Sequence, residues 1–92
     1  MQPFDSSAYR IELLDARAHL EPFATETAIR GDGAAQFVYA RSNRGSIELS
    51  KTQHLEIFVE FWSADAETPV REVTYPDFAS ALAESSSWLR GT

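Results

Sequence analysis

The sequence LEIFVEFW, residues 55–62, organises the rest of the chain. Its side chains divide into two rows with a period of two, and its β-branched and aromatic residues favour a β-strand. One row is entirely apolar and is expected to lie in the core: Leu55, Ile57, Val59 and Phe61. The other row alternates acidic and aromatic side chains: Glu56, Phe58, Glu60 and Trp62. We interpret this second row as the candidate interaction surface.

Further strands are predicted on both sides of this stretch. Residues 36–41, 46–50 and 70–75 are rich in β-branched and aromatic residues, and 46–50 alternates cleanly. A hairpin turn is expected at residues 42–45, where Gly45 suits a left-handed backbone. Residues 23–30 also alternate and favour a strand, although a helix stays open as an alternative there. The sequence therefore predicts four or five consecutive strands.

The clearest helix signal lies at the C-terminal end. Thr74 is a candidate N-cap, Pro76 suits a first turn, and Gly91 suits a C-cap. The residues between them place one apolar stripe on a helical face: Phe78, Ala81, Leu82, Ser85, Trp88 and Leu89. The sequence therefore predicts a C-terminal helix that packs on the sheet.

A second helix is predicted at about residues 6–20, with cap candidates at Asp5, Ser6 and Ser7 and with Pro22 beyond its end. A strand at residues 9–14 is the rival interpretation. Two apolar stripes lie on opposite faces of the helix, and we expect both to be covered: Tyr9, Leu13, Ala16 and Leu20 on one, Ile11, Leu14 and Ala18 on the other. This helix is expected to cover Phe58 and Trp62; coverage by a partner is the alternative.

Composition bounds the class of protein. Residues 1–92 are expected to form one small α+β domain, an antiparallel meander of four or five strands with the C-terminal helix on one face and an N-terminal helix. The net charge of −6 argues against nucleic acid as a partner, since such binding depends on neutralising phosphates. No apolar run approaches the length of a membrane span. Cysteine is absent and no signal peptide is evident, so we expect a cytoplasmic protein; many alanines and arginines suggest a bacterial source.

The pattern predicts no enzyme. Asp15 and His19 lie four residues apart with no third ligand nearby, and His54 has no acid at ligand spacing, so neither a metal nor a cofactor is expected. Glu56 and Glu60 on one strand would lie roughly 13 Å apart, too far for a glycosidase pair. We therefore expect no catalytic residues.

Three hypotheses for function follow. The first is a non-enzymatic protein-interaction domain that binds a partner, or a second copy of itself, through the Glu56–Trp62 face of the strand. The second is an acidic inhibitor or immunity-type protein that occupies a basic site on its target, because residues 46–92 carry a net charge of −5. The third is a small ligand-binding domain or enzyme with a pocket between sheet and helix.

Overall fold

The structure is a computed structural model that describes the backbone of residues 6–91 and the side chains of residues 7–91. Helix α1 (Ser6–Leu20) continues into a short 3-10 turn, Glu21–Phe23. Five strands follow: β1 (Glu26–Arg30), β2 (Phe37–Ser42), β3 (Gly45–Lys51), β4 (Ile57–Ser63) and β5 (Arg71–Tyr75). Helix α2 (Phe78–Arg90) comes after them. The two ambiguous segments are thus resolved, residues 9–14 as helix and residues 26–30 as strand.

The strands form one antiparallel sheet in the order β1-β2-β3-β4-β5. Their register aligns apolar side chains across the sheet, because Val38 pairs with Leu49, Leu49 with Val59, and Val59 with Val73. A neighbouring row joins Ala40, Ile47 and Phe61. These rows share one face of the sheet, and most of their side chains are fully buried there.

Both helices lie on that apolar face. Helix α1 packs against β1 and β2, α2 packs against β3, β4 and β5, and the helices touch each other. The first apolar stripe of α1, which was expected to be covered, is buried: Tyr9, Leu13, Ala16 and Leu20. Together with Ala81 and Leu89 of α2 it completes one hydrophobic cluster. The predicted α+β class, the antiparallel meander and the packed C-terminal helix are confirmed.

Polar contacts fix the position of α1 on the sheet. The buried hydroxyl of Tyr9 donates to the carbonyl oxygen of Gln36 at 2.7 Å and accepts from the amide of Lys51 at 3.0 Å. The ammonium of Lys51 in turn lies 3.0 Å from the carboxylate of Glu12. One side chain of α1 therefore hydrogen-bonds to backbone groups at the start of β2 and at the end of β3.

The β2–β3 hairpin is joined to α2. The hydroxyl of Ser42 donates to the carbonyl of Leu89 at 2.7 Å, and the indole of Trp88 donates to the carbonyl of Trp62 at 3.0 Å. Gly45 begins β3 beside these contacts, and a Cβ there would clash with the carbonyl oxygen of Trp62. Glycine is needed at this position because of this close approach and because its φ of 154° is a positive value that residues with a Cβ rarely adopt.

The start of α2 corrects a capping prediction. Its N-cap is Asp77, whose carboxylate accepts from the amide of Ser80 at 2.7 Å. Thr74, the predicted cap, pairs with Phe58 within β5 because the strand continues to Tyr75. The C-cap prediction is confirmed, since Gly91 adopts a left-handed conformation. At the N-terminal helix, the cap candidate Asp5 lies outside the described residues.

Two apolar predictions were wrong, those for Leu55 and for the second stripe of α1. Leu55 is 69% exposed, because β4 begins only at Ile57 and residues 52–56 form a turn in which the amide of Leu55 donates to the carbonyl of Thr52. The second stripe of α1 is exposed, Ile11 at 60% and Leu14 at 42%, since α1 has the core on one side only. Ala18 is exposed with them.

The serine run of α2 also differs from expectation. Ser85 is buried as predicted, but its hydroxyl has no hydrogen-bond partner among the described residues. Ser86, which lies off the predicted apolar stripe, is nevertheless only 5% exposed and donates to the carbonyl of Leu82 at 2.7 Å. This bond within the helix satisfies the hydroxyl, so Ser86 can lie at the edge of the core.

Candidate interaction surface

The sheet face opposite the helices, here called the open face, holds the candidate residues of β4. Phe58, Glu60 and Trp62 lie on it, and each is half-buried. Glu56 does not belong to it, because it precedes β4 and is exposed in the β3–β4 turn. The structure therefore brings three of the four predicted residues together on one surface.

The interpretation that α1 covers Phe58 and Trp62 was wrong. The stripe of α1 that would have covered them packs on the opposite face of the sheet. The half-burial of the two aromatic rings comes from their neighbours on the open face and its adjoining loops. No helix of the described chain covers this face.

Sequence reasoning missed several members of the open face. The cross-strand pairing places Tyr39 opposite Glu48, and Glu48 opposite Glu60. Phe37 lies on the same face and is half-buried. The alternation of Phe37 and Tyr39 with the buried Val38 and Ala40 was the available signal. The open face therefore carries four aromatic rings, two on β2 and two on β4.

Three carboxylates form a line across the open face. Glu48 pairs with Glu60, and Glu60 pairs with Glu72, on three adjacent strands; we name these residues the acidic row. The pKa of Glu60 is raised, first by burial and then by the negative charges of Glu48 and Glu72. Like charges directly opposite each other destabilise a sheet, so this arrangement works against the folded state.

The positive charges of the open face lie on the other half of the sheet. The guanidinium of Arg30 stacks over the ring of Tyr39, 3.9 Å from its centroid. Arg30 and Arg41 both form ion pairs with Glu26, at 3.8 and 3.0 Å. No ion pair within the described residues involves the acidic row. The row is therefore uncompensated within residues 7–91.

A cleft of about 470 Å³ lies at the Trp62 end of the open face. Its lining includes Tyr39, Arg41, Ser46, Trp62 and Ala66. The indole nitrogen of Trp62 is buried and has no hydrogen-bond partner in the described part of the chain. The cleft opens to solvent, which gives the aromatic surface a concave end.

The remaining polar candidates do not converge on a site. His54 is exposed in the β3–β4 turn, and His19 is exposed on α1 beside a groove that Asp15 and Phe78 also line. Residues 6–91 contain no group of three or more histidine, aspartate or glutamate side chains arranged so that they could hold a metal ion. The same residues contain no helix that combines the length and apolar character needed to cross a bilayer.

Comparison with known proteins adds no assignment. The chain matches no protein-family model. Neither the curated proteins nor the solved structures gave a match.

Proposed function

We propose that this protein is a non-enzymatic protein-interaction domain of the cytoplasm that binds a partner through the open face of its sheet. One observation carries the proposal: both helices lie on one face, and the described chain leaves the other uncovered although it carries Phe37, Tyr39, Phe58 and Trp62. A half-buried aromatic surface of this kind is typical of interfaces, where aromatic residues are enriched.

The shape of the surface supports a protein partner. The aromatic rings of β2 and β4 flank the intervening strand β3, and the cleft beside Trp62 offers a recess for a side chain of the partner. Anchors of binding energy are commonly tryptophan or tyrosine side chains seated among residues that exclude water. Trp62 meets that description, because its indole is half-buried against the cleft and lies beside polar residues such as Ser46.

The test compares capture of cellular partners by the wild-type chain and by matched variants. Trp62→Ala should weaken binding by about 2 kcal/mol or more, as expected for an interface anchor. Ile11→Ala is the control, since it removes an exposed apolar side chain from the outer surface of α1. Melting temperatures establish that each variant is folded at the temperature of the binding assay.

The control variant Ile11→Ala also tests the alternative binding surface. If Ile11→Ala abolishes binding and Trp62→Ala does not, the interaction surface is the exposed stripe of α1, and the proposal is wrong. Sedimentation of the wild-type chain over a range of concentrations distinguishes a second copy from a different protein as the partner. The double variant His19→Ala with His54→Ala should bind the partner normally, because neither side chain lies on the open face.

A further inference from the structure

The acidic row has a fixed geometry that a partner would meet. Neighbouring strands lie about 4.8 Å apart, so the backbones at Glu48 and Glu72 are separated by about 10 Å with Glu60 between them. Neighbouring residues of the row lie within the screening length of about 8 Å at physiological salt, so the repulsion between adjacent charges is only partly screened. The side chains of Glu48 and Glu60 are half-buried, which weakens solvation of their charges further.

Aromatic rings lie on both sides of the row. Phe58 precedes Glu60 by two residues in β4 and Trp62 follows it by two, so each is displaced by roughly 6.6 Å along the strand. A segment that lay along β4 on this surface would meet negative charge at its centre and an aromatic ring on either side. Cationic side chains with aliphatic neighbours match that pattern.

A second copy of the chain matches it poorly. Stacking two open faces would place three carboxylates from each copy in one interface, and like charges in an interface oppose association. The arginines that could offset them, Arg30 and Arg41, are already paired with Glu26. The net charge of −6 on each chain adds long-range repulsion.

Charge complementarity therefore selects among possible occupants of the open face. We propose that the partner is a basic protein segment, whose lysine or arginine side chains lie against the acidic row and whose apolar side chains lie against Phe58 and Trp62. This proposal rests on the function proposed above and names the class of its partner. The partner's cations replace the repulsion among Glu48, Glu60 and Glu72 by attraction, which gives the row a role that the isolated chain does not show.

The experiment uses two synthetic peptides of equal length and the full chain. One peptide contains arginine, leucine and glycine; in the other, glutamate replaces every arginine. Dissociation constants are measured by titration calorimetry at low and at physiological salt. The wild-type chain should bind the arginine peptide, with affinity that falls as salt rises, and should not bind the glutamate peptide.

Matched double variants separate the acidic row from the overall negative charge. Glu48→Gln with Glu60→Gln removes two charges from the open face. Asp15→Asn with Glu84→Gln removes two exposed charges from α1 and α2, on the other side of the sheet. The first pair should weaken binding of the arginine peptide about tenfold, and the second about twofold or less.

The outcomes separate this proposal from the one on which it rests. Equal weakening by the two double variants overturns it, because binding would then reflect net charge alone. Binding of the glutamate peptide, or a dimer that Trp62→Ala dissociates, also overturns it. If the arginine peptide fails to bind while a cellular protein still binds in a Trp62-dependent way, the class of partner is wrong and the interaction face stands. If Trp62→Ala leaves every interaction unchanged, the proposed function itself fails.

Discussion

Phe61→Ala is the substitution that tests the fold most directly. Phe61 is 1% exposed on the apolar face of β4, opposite Ile47 of β3. Its ring meets the ring of Trp88 edge-on, with centroids 5.3 Å apart. The guanidinium of Arg71 lies 5.4 Å from its centroid on another side. Truncation therefore leaves a cavity between the sheet and α2.

The magnitude follows from the burial. Truncating a fully buried phenylalanine to alanine lowers the free energy of unfolding by about 3–5 kcal/mol. This figure includes both the lost transfer free energy of the ring and the cost of the cavity. Part of this is the aromatic pair with Trp88, which contributes about 0.5–1.5 kcal/mol. At about 0.05–0.15 kcal/mol per residue, a chain of this length has a total stability of roughly 5–14 kcal/mol. The variant should therefore lose a large part of the stability of the domain.

Phe58→Ala is the matched control, because it removes the same side chain from the same strand on the open face. Phe58 is half-buried, and solvent can fill the space that it leaves, so about 1 kcal/mol should be lost. Urea denaturation followed by circular dichroism measures the free energy of unfolding of both variants. Fluorescence is a poorer probe, because Trp88 contacts Phe61 and its signal would change with the substitution itself. A loss under about 1 kcal/mol for Phe61→Ala, or an equal loss for the two variants, would mean that the faces of β4 are assigned the wrong way round.

Three further changes have defined outcomes. Tyr9→Phe should lower the free energy of unfolding by about 1–3 kcal/mol, because the Gln36 carbonyl and the Lys51 amide lose their partner; an unchanged denaturation midpoint would contradict this. The raised pKa of Glu60 means that the folded chain binds its proton more tightly than the unfolded chain, so stability should fall as the pH rises from the ordinary glutamate pKa through the raised one. Glu60→Gln should remove that part of the pH dependence and stabilise the protein above this interval. Melting curves of the two proteins across the acidic and neutral range measure this, and identical profiles would contradict it. Leu55→Gly should raise the free energy of unfolding by up to about 1 kcal/mol, because Leu55 has a φ of 64° and its side chain is exposed. The greater freedom of glycine in the unfolded chain offsets part of this gain. A lower melting temperature would show that the backbone at Leu55 is not strained.

Alternation predicted the strands and their faces, because side-chain direction in a strand has a period of two. The assignment of Ile57, Val59 and Phe61 to the core needed nothing else. The same rule failed at Leu55, because the apolar row of the sequence extends two residues before Ile57, where β4 begins. A turn closed by hydrogen bonds between Thr52 and Glu56 overrides the pattern there.

Which face α1 covers could not be predicted from its own sequence. An apolar stripe can pack on any apolar surface, and Phe58 and Trp62 looked like one. The deciding charges are on other strands, since the register joins Glu48 and Glu72 to Glu60 only after the sheet has formed. Covering that row with a helix would bury three carboxylates without partners, at a cost that the apolar face does not impose. The open face is therefore a property of the pairing of strands, which a single strand does not reveal.

The order of the strands has a consequence for the way the chain folds. Each strand pairs with the next one along the sequence, and β2 and β3 are separated only by Asn43 and Arg44. Little loop entropy is lost at each step, so the sheet can grow outward from this hairpin by successive local closures. The long-range steps are the docking of the two helices, since Tyr9 of α1 reaches residues 27 and 42 positions away and Leu89 of α2 reaches Ser42, 47 positions away. The folding rate is therefore expected to depend on the central hairpin, and the lifetime of the native state on the contacts of the two helices.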